Sequence, residues 1–144
     1  MTAASRVCLD TNAIIYHLHR TEPYFEVVEE LFGALQKGSK LAVVSTVTEL
    51  ELLVRPIRQD DRWELRQVRL ILESAGMEVV EMNRNVARLA AEQRATTGLD
   101  LPDAVIVATG IYAECDVIVG NDARCAKRVK EIPYLLLDDL VGAS

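Results

Sequence analysis

Between Asp100 and Asp122 the chain carries two consecutive segments that can be stable only inside a larger fold. Pro102 fits the first turn of a helix, where its missing N–H has no partner to lose, so Asp103 is placed in that first turn. Ala104, Val105, Ile106, Val107, Ala108, Ile111 and Ala113 then leave almost no polar face. Val-Ile-Val alone would suit a strand, but the length of the run and the proline predict a buried helix. Asp116-Val117-Ile118-Val119 follows as a continuous apolar run of strand length, as a central parallel strand covered on both faces requires. Asp122 lies just past its carboxyl end, the edge at which open α/β sheets bind ligands.

The rest of the chain repeats this alternation. Arg6 to Leu9 reads as a strand running into Asp10-Thr11-Asn12, after which Ala13, Ile14, Ile15, Tyr16 and Leu18 carry a helix. Tyr24, Val27, Val28, Leu31 and Leu35 recur at helical spacing before a stop at Gly38. Leu41 to Val44 is a second strand, and Ser45-Thr46 turns it into a helix bearing Glu49. Arg58 to Ser74 reads as a further helix, forming a helical hairpin with the preceding one across Pro56. Met77 to Val80 is a third strand, Asn83 to Thr97 a helix closed by Gly98, Ala123 to Val129 a short helix, and Tyr134 to Leu137 a final strand. Strands alternating with helices predict a parallel sheet with helices on both faces, a three-layer α/β/α sandwich of about five strands.

With 144 residues, half of them apolar, residues 1–144 are expected to form one domain with a substantial core. Cys8, Cys115 and Cys125 are odd in number and form no Cys-x-x-Cys, which argues for a reducing compartment and against structural zinc. No apolar leader occupies Met1 to Arg6 and no run approaches membrane-spanning length, so a cytoplasmic protein is expected. Acidic residues outnumber basic ones 22 to 16, a net charge of −6. Taken as a sum, that counts against contact with phosphate backbones. Distribution reverses the inference if the acids gather around metal and leave basic stripes elsewhere. Arg58, Arg62, Arg66 and Arg69 share one helix face, readable either as a solvated surface or as a groove edge for phosphates. Arg124, Lys127 and Arg128 follow Asp122 directly and carry the same two readings.

Four acids stand out: Asp10, Glu49, Asp103 and Asp122. Each has a local explanation. Thr46-Val47-Thr48-Glu49 matches a capping box, Asp103 complements a helix dipole, and Asp10 or Asp122 suits an N-cap. Their combination has another. The carboxyl ends of neighbouring parallel strands share one edge, so acids placed there converge from distant parts of the chain. Converging carboxylates repel and take up protons unless a cation is present, and hard oxygens suit Mg²⁺ or Mn²⁺. His17 and His19 pair with no suitable cysteine and read as surface or boundary residues.

Val7-Cys8-Leu9-Asp10-Thr11-Asn12, Ser45-Thr46-Val47-Thr48-Glu49, Leu101-Pro102-Asp103-Ala104 and Val119-Gly120-Asn121-Asp122, in this order, resemble the PIN domain, in particular toxin ribonucleases of the VapC type. The resemblance covers essentially the whole chain. It implies metal-dependent cleavage of RNA phosphodiesters to 5′-phosphate and 3′-hydroxyl ends, with Asp10, Glu49, Asp103 and Asp122 as ligands of one or two Mg²⁺ or Mn²⁺ ions. Asn12 would orient the Asp10 carboxylate, with Thr11 and Asn121 in supporting positions. It also implies an antitoxin partner and a homodimer. Two departures stand out: Gly120 where the family commonly has a hydroxyl residue, which bears on the positioning of Asp122, and Cys125 where an aromatic is often found.

Two other classes fit parts of the pattern. A PIN-like binding module that has lost its nuclease activity would keep the fold without metal-dependent turnover. A receiver-like Mg²⁺-binding signalling domain would need a phosphoacceptor Asp ending the third strand and a Lys after the fifth. This chain has Val80-Glu81-Met82 and Leu137-Asp138-Asp139 there.

Overall fold

A computed structural model describes residues 4–142, so half of the segment Met1 to Arg6 lies outside the described residues. Five parallel strands, β1 (Arg6–Leu9), β2 (Leu41–Ser45), β3 (Met77–Val80), β4 (Val117–Gly120) and β5 (Tyr134–Leu136), lie in the order β3-β2-β1-β4-β5. The sheet reverses direction of growth between β1 and β4, which creates the crevice of a doubly wound fold at their carboxyl ends. This order also separates the chain from receiver-like folds, whose strands run 2-1-3-4-5.

Alternation along β1 sends Val7 and Leu9 to one face and Cys8 to the other, and two cores follow from it. The first is built with α1 (Thr11–Leu18), α2 (Phe25–Lys37), α3 (Thr46–Arg58), α4 (Arg62–Leu72) and α8 (Leu137–Gly142). The second belongs to α5 (Arg84–Thr97), α6 (Leu101–Tyr112) and α7 (Ala123–Arg128). The expected three-layer α/β/α sandwich is therefore what forms. Residues Ala104 to Gly110 of α6 are all buried, as the lack of a polar face required. Each Val or Ile there contributes about 1.5–3 kcal/mol of hydrophobic stabilisation. Pro102 sits in the first turn, and Gly38 and Gly98 cap α2 and α5 in the left-handed conformation.

Three local expectations are corrected. Pro56 does not break its helix: α3 continues through it to Arg58, because Pro56 is buried in the last turn, where only one backbone hydrogen bond is forfeited. The chain turns at Gln59–Asp61 instead, with Asp60 at φ 50° and Asp61 capping a shorter α4. Thr46 and Glu49 form no capping box, because the N-cap is Ser45, whose hydroxyl accepts from the Val47 N–H at 3.0 Å. The last strand stops at Leu136, and Leu137 opens α8, whose first turn holds Asp138 and Asp139. His17 stacks on Phe32 and pairs with Glu29, while His19 pairs with the buried Glu64, so His17 is a boundary residue and His19 a surface one. Among the described residues no helix is long and apolar enough to cross a membrane.

Candidate acidic site at the strand ends

Asp10 leaves β1 at the crevice. Its N–H donates to the Val119 carbonyl of β4 at 2.9 Å, which holds the two strand ends together one residue beyond their ladder. Its carboxylate accepts from the Thr11 N–H at 2.7 Å through Oδ1 and from the Tyr134 hydroxyl at 2.9 Å through Oδ2. Asp122 follows β4 and caps α7, accepting from the Cys125 N–H at 3.0 Å. Both residues are thus N-caps, as the local explanation held, and they also share one strand edge. Helices that cross over between parallel strands run antiparallel to them, so α6 begins at the carboxyl edge and delivers Asp103 there in its first turn.

The electrostatics register the convergence. Burial pushes the Asp103 carboxyl up to about 6, reinforced by the charges of Asp10, Asp122, Asp100 and Glu51. Asp10 is raised by burial first, with Glu51 and Asp122 adding to it against the lowering effect of its hydrogen bonds from Tyr134 and Thr11. The buried Cys125 thiol is pushed up to about 12 by burial and by Asp103, Asp10 and Asp122, so it remains a neutral wall of the site.

The glutamate at this edge is Glu51, not Glu49. With Ser45 as N-cap, Thr48 points inward and its hydroxyl meets that of Thr11 at 3.1 Å. One turn further, Glu51 shares that face and accepts from the Thr11 hydroxyl at 2.6 Å. Glu49, about 100° around the helix from Thr48, instead lines a groove between α3 and α4 with Leu53, Arg62, Arg66 and Arg69. The signal that could have separated the two is helical phase: Thr48 and Leu52 mark the buried stripe, and Glu51 lies on its site-facing flank.

The supporting residues also redistribute. Thr11 orients Glu51 as well as Asp10. Asn12 does not orient Asp10, whose two hydrogen bonds come from Thr11 and Tyr134. Asn121 turns away from the acids, donating to the Tyr16 hydroxyl at 3.0 Å and accepting from the Asp138 N–H at 2.9 Å. It ties the β4–α7 turn to α1 and α8. Where the resemblance led to a hydroxyl at position 120, the hydroxyl arrives from β5: a Cβ added at Gly120 would overlap the Tyr134 oxygen. Asn121 could not be sorted from sequence, because its partners Tyr16 and Asp138 lie on other elements.

Among the described residues no three His, Cys, Asp or Glu side chains are drawn together to enclose an ion, and none of the ion pairs engages Asp10, Glu51, Asp103 or Asp122. The donors are hard oxygens, their mutual repulsion lacks a protein counter-charge, and the nearby thiol is neutral, so the residues fit Mg²⁺ or Mn²⁺. Of the basic residues, Arg124 and Lys127 are exposed on α7, the helix that Asp122 caps. Arg128 folds back to the Thr97 and Gly98 carbonyls at 3.4 Å, complementing the carboxyl end of α5.

A five-stranded doubly wound sheet with carboxylates gathered at its topological switch point defines a class of small α/β proteins with an acidic strand-end site. Within that class the family model for the PIN domain matches residues 7–132, and this chain belongs to the PIN domain family. No curated protein matches it by sequence. Among solved structures it is similar to VapBC2 from Rickettsia felis, bound to a DNA fragment from its promoter, with a TM-score of 0.73 and 16% identity over 91% of this chain and 98% of that one. It is similar to VapBC-1 from nontypeable Haemophilus influenzae, TM-score 0.71, at 19% identity over 92% and 98% of the two chains. The VapC20 toxin of Mycobacterium tuberculosis, which cleaves the sarcin-ricin loop, superimposes with a TM-score of 0.67 at 12% identity over 88% and 98%.

Proposed function

We propose that this protein is a Mg²⁺- or Mn²⁺-dependent endoribonuclease and the toxin of a toxin–antitoxin pair. The observation that carries the reading is the convergence of Asp10, Asp103 and Asp122, with Glu51, on one crevice, where burial first and the neighbouring charges second raise the carboxyls of Asp10 and Asp103. Membership of the PIN family and likeness in fold to toxins and toxin–antitoxin complexes support it.

Asp10, Glu51, Asp103 and Asp122 would hold the cation. When bound, it supplies charge neutralisation at the scissile phosphate and activation of the attacking water. The chain's own part is preorganisation. Thr11 holds Asp10 and Glu51, and the α6 amino terminus offers a positive dipole end beside Asp103. Arg124 and Lys127, exposed on the helix that Asp122 caps, would contact phosphates, with Arg62 and Arg66 in the α3–α4 groove as a second, separate set. Single-stranded or looped RNA is the substrate, because its phosphates can bend into a crevice. An antitoxin would block the site with basic side chains against the acids, and the toxin would act as a homodimer.

The test is cleavage of a mixed structured and unstructured RNA pool by purified protein with Mg²⁺, Mn²⁺ or EDTA, beside Asp10→Asn and Asp103→Asn. Cleavage that disappears in EDTA and in both variants supports the nuclease. Cleavage surviving both variants, or none by wild type with either metal, overturns it, the second outcome favouring an RNA- or protein-binding module.

A further inference from the structure

Tyr134 reaches the acidic crevice from a strand that contributes no acid to it. It pairs with Ile118 across the β4–β5 ladder, and its ring packs against the core shared by Cys8 and Ile118. Gly120 lies two residues beyond Ile118, on the same face of β4, within diagonal reach of a long side chain. There the tyrosine oxygen occupies the space of the missing side chain. A Cβ at position 120 would overlap that oxygen, and would also stand 2.7 Å from the Asp10 Cβ and 3.0 Å from Asp10 Oδ2.

The hydrogen bonds around this oxygen have a single consistent direction. The Asp122 N–H can only donate, and it does so to the Tyr134 oxygen at 3.2 Å. The phenolic proton is then free to point at Asp10 Oδ2, 2.9 Å away. Asp10 Oδ1 is held separately by the Thr11 N–H at 2.7 Å. Both carboxylate oxygens are therefore anchored, yet each keeps a lone pair for a cation.

We propose that the Tyr134 hydroxyl, admitted by Gly120, is the positioning group that locks the Asp10 carboxylate and the Asp122 backbone together at the metal end of the crevice. The assignment rests on the metal reading above and adds a residue to it. Partners that orient a metal-binding carboxylate are worth about 10–100-fold in metal affinity or activity.

The experiment is Mn²⁺ titration of wild type, Tyr134→Phe, Gly120→Ala and, as a control for loss of an exposed phenol, Tyr112→Phe, following free Mn²⁺ by electron paramagnetic resonance without RNA. Thermal melts in EDTA establish which variants are folded. Tyr134→Phe removes the hydroxyl and keeps the ring, whereas Gly120→Ala keeps the tyrosine and evicts its oxygen. The expected result is Mn²⁺ affinity at least about tenfold weaker in both folded variants, with Tyr112→Phe equal to wild type. Excess Mn²⁺ should then restore cleavage by Tyr134→Phe, which a misfolded protein would not allow. If Tyr134→Phe fails to fold, Tyr134→Leu, which also lacks the hydroxyl, takes its place, because the added Cβ of Gly120→Ala crowds Asp10 as well as the tyrosine oxygen. A folded variant of either kind that binds Mn²⁺ as wild type does overturns the role of Tyr134 while leaving the metal site standing. A wild type that binds no Mn²⁺ overturns both.

Discussion

The Thr11 hydroxyl donates to Glu51 Oε1 at 2.6 Å, joining the first turn of α1 to α3 across forty residues of sequence. This contact selects Glu51 over Glu49 as the glutamate of the acidic edge. Glu51→Gln is expected to lower metal-dependent RNA cleavage by about 10–100-fold, with Glu49→Gln indistinguishable from wild type. Initial rates at saturating Mg²⁺ measure both, and the reverse ranking would return Glu49 to the site.

The Asp103 carboxyl, lifted from 3.8 to about 6, makes the metal-free fold sensitive to pH. Between those values the native state keeps a proton that the unfolded chain has released, so stability falls as pH rises through the window and stays reduced above it. Asp103→Asn should remove this slope. Allowing for solvent screening of a half-exposed group, the gain at neutral pH is on the order of 1 kcal/mol, or about 2–4 °C in Tm. Melts in EDTA at about pH 5 and about pH 7.5 test it; an unchanged slope in the variant would locate the pH dependence elsewhere.

Metal should act in the opposite sense to this repulsion. A cation that binds only the native state at about 100 times its Kd stabilises by about 2.7 kcal/mol. Mn²⁺ is therefore expected to raise the Tm of wild type and to leave Asp10→Asn nearly unmoved. Equal shifts in the two proteins would place the ion away from Asp10.

Arg62 and Arg66 line the α3–α4 groove with Glu49, apart from the acids. If they carry RNA phosphates, Arg62→Glu with Arg66→Glu should weaken RNA binding and flatten the slope of log K against log salt by about 0.7 for each phosphate that is no longer neutralised. Fluorescence anisotropy over a salt series measures that slope. An unchanged slope would leave this groove to a protein partner or to solvent.

Much of this site was legible because its signals are local. Pro102 confines Asp103 to a helix start, and the apolar runs ending in Asp10 and just before Asp122 identify strands whose shared edge must collect both acids. Features that depend on helical phase or on a partner far along the chain leave no such local signal. Glu49 and Glu51 differ by two residues, and only the cap at Ser45 sets which of them turns inward. Pro56 carried a breaker signal that burial in a last turn overrode.

Local residue preferences set the alternation of strands and helices, the apolar faces that make a doubly wound sheet its stable arrangement, and the placement of three aspartates at one edge. These follow from backbone sterics and hydrophobic period, which act over a few residues. Three-dimensional packing is what makes Glu51 join them, turns Asn121 to α8 rather than the acids, and fills the gap at Gly120 with a hydroxyl from β5. Those outcomes depend on through-space distances between groups such as Asp10 and Tyr134, 124 residues apart. No local preference encodes such distances; only packing brings the groups together.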